Sequence, residues 1–285
     1  MEQPLRANAA SIFARDSATI NFCEPNYVHS AVVAEWWGTW SALLMVLQGA
    51  AGVWLGLRHG IAPRHCVLWL HLVIVGIGTM YLHATLAFFG QACDELPMII
   101  LALNLFYCLI TVEGTFSAPA RRLLAAFLTA TGALAGHTTL STKYVLGADA
   151  KEPWIFPFVF GAIMSVLIAQ ELRLYVKYDQ RKIRRLYERA AVTFVGGFAV
   201  WLLDMHLCDT VQWLQLHAAW HVLTCLAAHY TFIWMVAIHA EASGRGLPAS
   251  LVNSPMAANF FALRGKHEQE YRRCSAVGQA KRTYK

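Results

Sequence analysis

The sequence predicts an all-α, polytopic membrane protein built as a bundle of seven transmembrane helices. Two observations support this fold class. The chain of 285 residues is 57% hydrophobic and only 14% charged, and its mean hydropathy is +0.44. A soluble domain of this length could not bury so much apolar surface, so the lipid bilayer must act as its solvent.

Seven windows without Asp, Glu, Lys or Arg are the candidate spans. Most of them approach or exceed the roughly 18–20 residues that cross a bilayer as a helix. In chain order the windows are Trp36–Leu57, Cys66–Cys93, Leu96–Val112, Leu123–Thr142, Pro153–Gln170, Ala190–Leu203 and Thr210–Ala240. The sixth window is short and must borrow flanking residues, so six helices stand as the alternative count.

Basic residues are distributed unequally between the two membrane faces that seven helices define. The N-terminus and the loops after the second, fourth and sixth helices share one face. Only Arg6, Arg15, Lys143 and Lys151, of 23 Lys and Arg residues, fall there. Because Lys and Arg concentrate on the cytosolic side of membrane proteins, we expect a lumenal or extracellular N-terminus and a cytosolic C-terminus. This bias and anionic lipids explain the net charge of +6, so no nucleic-acid partner is expected.

Ionisable residues gather near the first of these faces. His83 lies near the end of the second helix, Asp94 and Glu95 begin the third, Asp204 ends the sixth, and His217 and His221 begin the seventh. Ionisable groups in membrane spans are costly and usually face a bundle interior where they serve a function. His217 and His221 are four residues apart and project from one helix face. With His83 they could supply three neutral imidazoles to a catalytic zinc ion that keeps a fourth position for water.

This pattern also has a structural interpretation. The chain has 12 histidines, so a spacing of four arises by chance, and histidine can be a hydrogen-bonded core residue. The convergence of five ionisable residues from four helices on one face favours a metal site. Serine and cysteine hydrolase chemistry is disfavoured, because no G-x-S-x-G elbow occurs and no cysteine lies beside a Lys or His cluster on that face. Gly76 and Gly78 lie within an apolar helix, where close helix packing explains them better than nucleotide binding.

Four stretches of the sequence resemble the alkaline ceramidases. These belong to a superfamily of seven-helix hydrolases that also includes the adiponectin and progestin receptors. The stretches are Asn21–Tyr27 with Ala34–Trp37, then Thr79 and His83 with Asp94–Met98, then Trp201–Asp204, and finally His217–Thr224. They occur in the family's order and span most of the chain.

The resemblance implies a zinc-dependent amidohydrolase. It would cleave the N-acyl amide bond of a ceramide-type lipid to give a sphingoid base and a free fatty acid. Zinc would be held by His83, His217 and His221, and Asp94 would take a proton from the attacking water and pass it to the leaving amine. The lipid substrate and the bilayer are the expected partners, and no obligate protein partner is evident.

Two further residues receive roles from the resemblance, each with an alternative. Asp204 would orient a zinc-bound imidazole, or it makes a helix-end hydrogen bond. Thr79 stands where the family usually carries serine, and its hydroxyl would contact the zinc-bound water or the substrate oxyanion. The same hydroxyl could instead bond to a carbonyl of its own helix.

The N-terminal signature also resembles a calcium site. Its ligands would be Asn21, the Phe22 carbonyl, Glu24, Asn26 and Glu35, which suits a cation that takes six to eight oxygen ligands. Family members often carry aspartate where this chain has Asn21, so one negative charge is lost and weaker calcium binding is expected. Glu24 and Glu35 could instead be helix-start residues.

The remaining expectations concern the disulfide state, the domains and the compartment. Cys23 and Cys208 both lie on the predicted lumenal face and could pair in an oxidising lumen. Residues 1–30 would form a lumenal segment with the calcium-binding loop, 31–241 the seven-helix catalytic domain, and 242–285 a mobile basic cytoplasmic tail. The expected membrane is the endoplasmic reticulum or the Golgi, with the plasma membrane as the alternative.

Two other functions remain open at this point. One is a seven-helix receptor in which zinc is structural, as in the receptor branch of the superfamily. The stretch Asp94–Pro97 and the acidic N-terminal signature favour the ceramidase branch. The other is an ion or proton transporter, which would carry its charges near the middle of the membrane, whereas this chain carries them close to one face.

Overall fold

The computed structural model describes residues 15–145 and 155–244, with the side chains of 142–145 excepted. Eight α-helices lie within these ranges: α1 Trp36–Arg58, α2 Pro63–Thr85, α3 Phe88–Ile110, α4 Ala118–Val145, α5 Ile155–Lys177, α6 Arg181–His206, α7 Cys208–Val211 and α8 Leu216–Ala242. All except the four-residue α7 are long and apolar enough to cross a membrane. The predicted fold class and the count of seven spans are confirmed.

Some of the predictions lie outside the described residues. Residues 1–14 of the predicted lumenal segment, the loop that contains Lys151, and residues 245–285 of the predicted tail belong to this group. The segment boundaries and the orientation of the two termini therefore stay predictions.

Two of the predicted windows join segments that the structure separates. The window Cys66–Cys93 contains both the end of α2 and the start of α3, because the chain turns at Leu86, a left-handed residue with φ of 48°. Ala18 N–H donates to the Leu86 carbonyl (2.8 Å), and the Ser17 hydroxyl accepts from Phe88 N–H (2.8 Å) across 71 residues of sequence. The turn is apolar itself and its partners are distant, so hydropathy could not reveal it.

The corrected boundaries move several predicted residues. Asp94 and Glu95 lie in the second turn of α3 and do not begin that helix. The window Thr210–Ala240 likewise begins in α7 and a short 3-10 turn, Gln212–Leu214, and only its later part forms α8.

Glycines line the crossings of α2 with its neighbours α1 and α3. α1 packs against α2 and α8, α2 packs against α3, and α6 packs against α8. At Gly76, an added Cβ would lie 2.9 Å from Met45 and Val46 of α1, and at Gly78 it would collide with the Cys93 carbonyl of α3. Small residues let α2 approach both neighbours, which confirms helix packing as the role of this glycine pair.

The N-terminal segment before α1 pairs with the end of α2. Asp16 N–H donates to the Thr85 carbonyl (3.3 Å), Ala34 N–H to Ala84 (2.9 Å), and Glu35 N–H to His83 (2.9 Å). The last carbonyls of a helix have no partner within the helix itself. These hydrogen bonds supply partners and fix the segment above the end of α2 that carries His83.

Candidate metal centre

Three buried histidines from two helices meet at one end of the bundle. His83 comes from the last turn of α2, and His217 and His221 come from the first two turns of α8. Their ring centroids are 4.7 to 5.0 Å apart. The candidate donor atoms all lie within 4.8 Å of one another, and within the described parts of the chain no other three His, Cys, Asp or Glu side chains converge in this way.

The donor set fits a zinc ion. Tetrahedral zinc with nitrogen ligands at 2.0–2.1 Å places those nitrogens roughly 3.3–3.4 Å apart, so a contraction of about an ångström would complete the geometry. All three rings are almost inaccessible to solvent. Such dry imidazoles are suitable as neutral ligands, because burial disfavours the protonated ring.

Oxygen partners on the outer side orient two of the three rings. His83 Nδ1 lies 2.5 Å from Glu35 Oε2, and His221 Nδ1 lies 2.8 Å from Ser41 Oγ. Since the Ser41 hydroxyl donates to the Gly38 carbonyl (3.0 Å), its oxygen is left to accept from Nδ1–H of His221. A proton fixed at Nδ1 leaves Nε2 of each ring as the metal-binding atom.

The third ring has a more distant carboxylate. His217 Nδ1 lies 3.9 Å from Asp204 Oδ2, beyond hydrogen-bond distance, and this buried nitrogen has no other partner in the described part of the chain. Asp204 comes from the end of α6 and is itself buried. A small rotation of the His217 ring would bring Nδ1 within hydrogen-bond distance of Asp204 Oδ2, so that all three rings would have an oxygen partner.

Phe22 covers the cluster from the N-terminal segment. Its ring centroid lies 3.8 Å from that of His217 and 4.8 Å from that of His83. Phe22 N–H donates to Glu35 Oε1 (3.2 Å). Glu35 therefore holds the covering loop with one carboxylate oxygen and the His83 ring with the other.

Asp94 reaches the same end of the bundle from α3. Its Oδ1 accepts a hydrogen bond from the Thr79 hydroxyl, which also lies 2.9 Å from the Val75 carbonyl of its own helix. When ionised, the Asp94 carboxylate would be the stronger acceptor of the two. Thr79 stands one turn before His83 on α2, about 6 Å along the helix axis, so the structure brings Asp94 beside the helix that carries the first histidine.

The Glu95 side chain, unlike that of its neighbour Asp94, belongs to a hydrogen-bond network with Gln91 and Thr19. The Gln91 side-chain amide donates to Glu95 Oε1 (2.8 Å) and to the Thr19 hydroxyl (2.8 Å). Thr19 N–H donates in return to Gln91 Oε1 (2.8 Å). This network binds α3 to the N-terminal segment.

The predicted calcium ligands occupy two different settings. Glu24 is buried, and its two oxygens accept from Trp37 N–H (2.7 Å) and Gly38 N–H (2.8 Å) at the start of α1. Asn21 and Asn26 are exposed, with Asn26 Nδ2 donating to Asn21 Oδ1 (3.3 Å). Glu35 contacts Phe22 N–H and His83, as described above. The calcium site stays a prediction.

A disulfide connects the N-terminal segment to α7. Cys23 and Cys208 are bonded, with their Cα atoms 5.3 Å apart. The Gln212 amide donates to the Cys23 carbonyl (2.9 Å), and Cys23 N–H donates to Asp204 Oδ2 (3.4 Å). The residue after Phe22 is thus fixed on both sides, to α6 and to the turn that precedes α8.

The sequence did not reveal Ser41, the cover that Phe22 provides, or the contact between Glu35 and His83. Ser41 lies on an apolar helix and has no motif around it. The one feature of the sequence that could have indicated Ser41 is its hydroxyl group, which lies within two helical turns of the acidic Glu35. The resemblance assigns Glu35 and the Phe22 carbonyl to calcium and gives no sign that the Glu35 carboxylate also contacts a histidine ring.

The fold and the cluster define a class of protein: a polytopic α-helical membrane protein with a buried three-histidine centre near one end of its bundle. A family model described as Ceramidase matches residues 14–254. The chain therefore belongs to the ceramidase family, a family of hydrolases.

Curated relatives from three kingdoms match most of the chain. It is 29% identical over 225 residues to alkaline ceramidase 3 of Mus musculus, covering 75% of this chain and 80% of the relative. It is 26% identical to alkaline ceramidase 1 of Homo sapiens, covering 81% and 86%. It is also 25% identical to an alkaline ceramidase of Arabidopsis thaliana (80% and 86%) and to one of Saccharomyces cerevisiae (80% and 78%).

Proposed function

We propose that this protein is a zinc-dependent amidohydrolase that cleaves the N-acyl amide bond of ceramides, giving a sphingoid base and a free fatty acid. The observation that carries the proposal is the buried cluster of His83, His217 and His221, with oxygen partners behind its rings, in a chain whose relatives are named alkaline ceramidases. Amide resonance makes this bond resistant to hydrolysis, so the reaction needs both an activated water and a proton donor for the leaving amine.

The three histidines would hold the zinc ion. Zinc bound to neutral imidazoles supplies a Lewis acid that lowers the pKa of a bound water to about 7. Glu35 and Ser41 keep the Nδ1 protons of His83 and His221 in place, which presents Nε2 of each ring to the centre. Phe22 excludes water from the side of the N-terminal segment.

Asp94 is the proposed proton carrier. Its carboxylate would take the proton of the attacking water and deliver it to the nitrogen of the leaving amine. The Thr79 hydroxyl, which donates to Asp94, holds the carboxylate on the α2 side of the bundle. Asp204 would act as the positioning residue for His217.

We place this site at the lumenal face of an endoplasmic reticulum or Golgi membrane, in line with the charge bias of the loops. We further propose weak calcium binding at Asn21, the Phe22 carbonyl, Glu24, Asn26 and Glu35. The acidic and amide side chains of that loop support calcium, and the uncharged Asn21 is the reason to expect a low affinity.

The test is release of fatty acid from defined ceramides by detergent-purified protein, with zinc content measured on the same samples. The unmodified chain should cleave ceramide and contain one zinc per chain. His217→Ala should lose zinc and activity together. His137→Ala is the matched control, because His137 is exposed on α4, and it should keep both.

One outcome would contradict the proposal. If zinc is bound at His217 but ceramide, dihydroceramide and phytoceramide all remain intact, the cluster is a structural metal site. The receptor interpretation would then take precedence, and ligand binding would become the property to measure.

A further inference from the structure

A cavity lies at the opposite end of the bundle from the histidine cluster. It has a volume of about 440 Å³, within the range of roughly 300–1,000 Å³ typical of small-molecule sites. Its lining includes Arg64 at the start of α2, Tyr107 at the end of α3, Arg121 in the first turn of α4 and His239 near the end of α8. Arg64 and His83 are separated by nineteen residues of one helix, about 28 Å, which is close to the thickness of the hydrocarbon core.

The cavity wall carries uncompensated positive charge. Its one carboxylate, Glu113, is already bound by Lys177 (2.5 Å) and Arg173 (3.6 Å). The hydrogen bond from Lys177 holds the pKa of Glu113 below its ordinary value, so this carboxylate is ionised and paired. Within the part of the chain that the structure describes, the guanidinium groups of Arg64 and Arg121 therefore remain without an acidic partner.

Arg64 is the less usual of the two. It is half-buried, yet among the described residues its guanidinium makes no hydrogen bond and no ion pair. A partly buried guanidinium without a partner loses hydration that no protein acceptor replaces. The nearby Arg58 differs, because its guanidinium lies over the Trp54 ring at 5.2 Å. The Arg121 guanidinium donates one hydrogen bond, from Nη1 to the Phe116 carbonyl (3.0 Å). Its other N–H groups are available to a ligand.

We propose that this cavity binds a phosphate monoester through Arg64 and Arg121. Guanidinium groups bind phosphate oxygens with paired, charge-assisted hydrogen bonds, and the two negative charges of a monoester match two arginines. Basic pockets between transmembrane helices at the membrane surface are suited to lipid head groups. The phosphate could also belong to a small soluble ester, which offers the same oxygens.

The experiment uses the full chain in detergent. Native mass spectrometry would count bound lipid during titration with phosphatidate or with phosphatidylcholine of the same acyl chains. Glycerol 3-phosphate, titrated by calorimetry, would test a soluble source. We expect saturable binding of one phosphatidate per chain, with phosphatidylcholine at least about tenfold weaker, as befits the loss of charge-assisted hydrogen bonds.

Three variants locate the binding. Arg64→Gln and Arg121→Gln should each weaken phosphatidate binding by about tenfold. Arg58→Gln is the matched control, since it removes a basic residue from the same end of the bundle outside the cavity lining, and it should bind as the unmodified chain does. Because Arg121 is exposed, its variant keeps the test valid even if Arg64→Gln fails to fold.

Each result has a defined meaning. Binding of glycerol 3-phosphate that depends on both arginines would support the site and identify a soluble ligand. Binding of phosphatidate alone, with the same dependence, would support the site and identify a lipid. Equal binding of the two lipids, or equal binding by all three variants, would overturn the proposal, and ceramide hydrolysis would not be affected by either result.

Discussion

The carboxylates beside the histidine cluster and the Glu113 carboxylate at the other end of the bundle lie in opposite settings. At the histidine end the side chains of Glu24, Glu35, His83 and Asp204 are buried, and their partners come from other segments of the chain. At the other end Lys177 is half exposed and pairs with Glu113 at the surface. Buried polar groups must be fully partnered because an unpaired one is costly in a low dielectric, whereas exposed pairs contribute little. Changes to the buried groups beside the histidine cluster should therefore cost far more than changes to the Glu113 pair.

The largest effect is expected from Gly78→Ala. The new methyl group would collide with the Cys93 carbonyl, so α2 and α3 must separate, which breaks the hydrogen bond between Thr79 and Asp94. We expect a loss of about 3 kcal/mol in the free energy of unfolding, the upper end for overpacked sites. Thermal unfolding in detergent would measure it. Gly196→Ala is the control, because nothing lies within 4 Å of a Cβ at Gly196; equal melting temperatures for the two variants would contradict the packing argument.

The next effect concerns Asp204→Asn. The amide oxygen can still accept from Cys23 N–H, but the negative charge beside His217 is lost. Loss of a carboxylate behind a metal-bound histidine typically weakens metal binding by about 10- to 100-fold. Competition with a zinc chelator would measure the affinity. Asp209→Asn removes an exposed carboxylate from α7 and should leave the affinity unchanged, so similar losses in both variants would exclude a positioning role for Asp204.

A smaller effect is expected from Ser41→Ala. The variant removes the oxygen that faces His221 Nδ1 and leaves that buried nitrogen without a side-chain acceptor. A lost neutral hydrogen bond costs about 1 kcal/mol, equivalent to roughly fivefold in zinc affinity. Ser165→Ala provides the control: the Ser165 hydroxyl also bonds a carbonyl of its own helix (2.8 Å) but is exposed. Should Ser41→Ala bind zinc as tightly as Ser165→Ala, Ser41 does not orient His221.

The smallest effect belongs to the other end of the bundle. The pKa of Glu113 is lowered from 4.5, mainly by the hydrogen bond from Lys177. A lowered pKa in the folded state means that the stabilisation is complete above 4.5 and is lost as the pH falls below it. Because the pair is partly exposed, we expect only about 0.5 kcal/mol. The difference in melting temperature between the unmodified chain and Glu113→Gln should be present at neutral pH and disappear in acid. A difference that grows in acid would show that the ionised Glu113 does not stabilise the fold.

Hydropathy predicted the fold because the bilayer imposes a local requirement. Any stretch that crosses it must be apolar over about twenty residues, whatever the rest of the chain does. The turn at Leu86 could not be predicted in this way, since neither Leu86 nor Ala87 is charged, Gly or Pro. Its backbone groups are satisfied by Ser17 and Ala18, which are close in space and distant in sequence.

In the candidate site, too, some residues could be predicted from the sequence and others could not. The three histidines could be predicted because two share a helix face and all three fall on one membrane face. Ser41 could not, since its significance depends on the rotation of α1 against α8. Glu35 was identified as important, but its contact with His83 depends on how the N-terminal segment bends over the end of α2.

The hydrogen bond between Cys23 and Asp204 spans 181 residues, and this has a consequence for biosynthesis. The covering segment emerges from the ribosome first, but its partners on α6, and Gln212 just before α8, are made last. Until His217 has been synthesised, the Phe22 ring cannot make its contact with the His217 ring. A nascent chain halted before the final helix would therefore present an open end with unpaired amides, a feature by which quality control could distinguish incomplete molecules from finished ones.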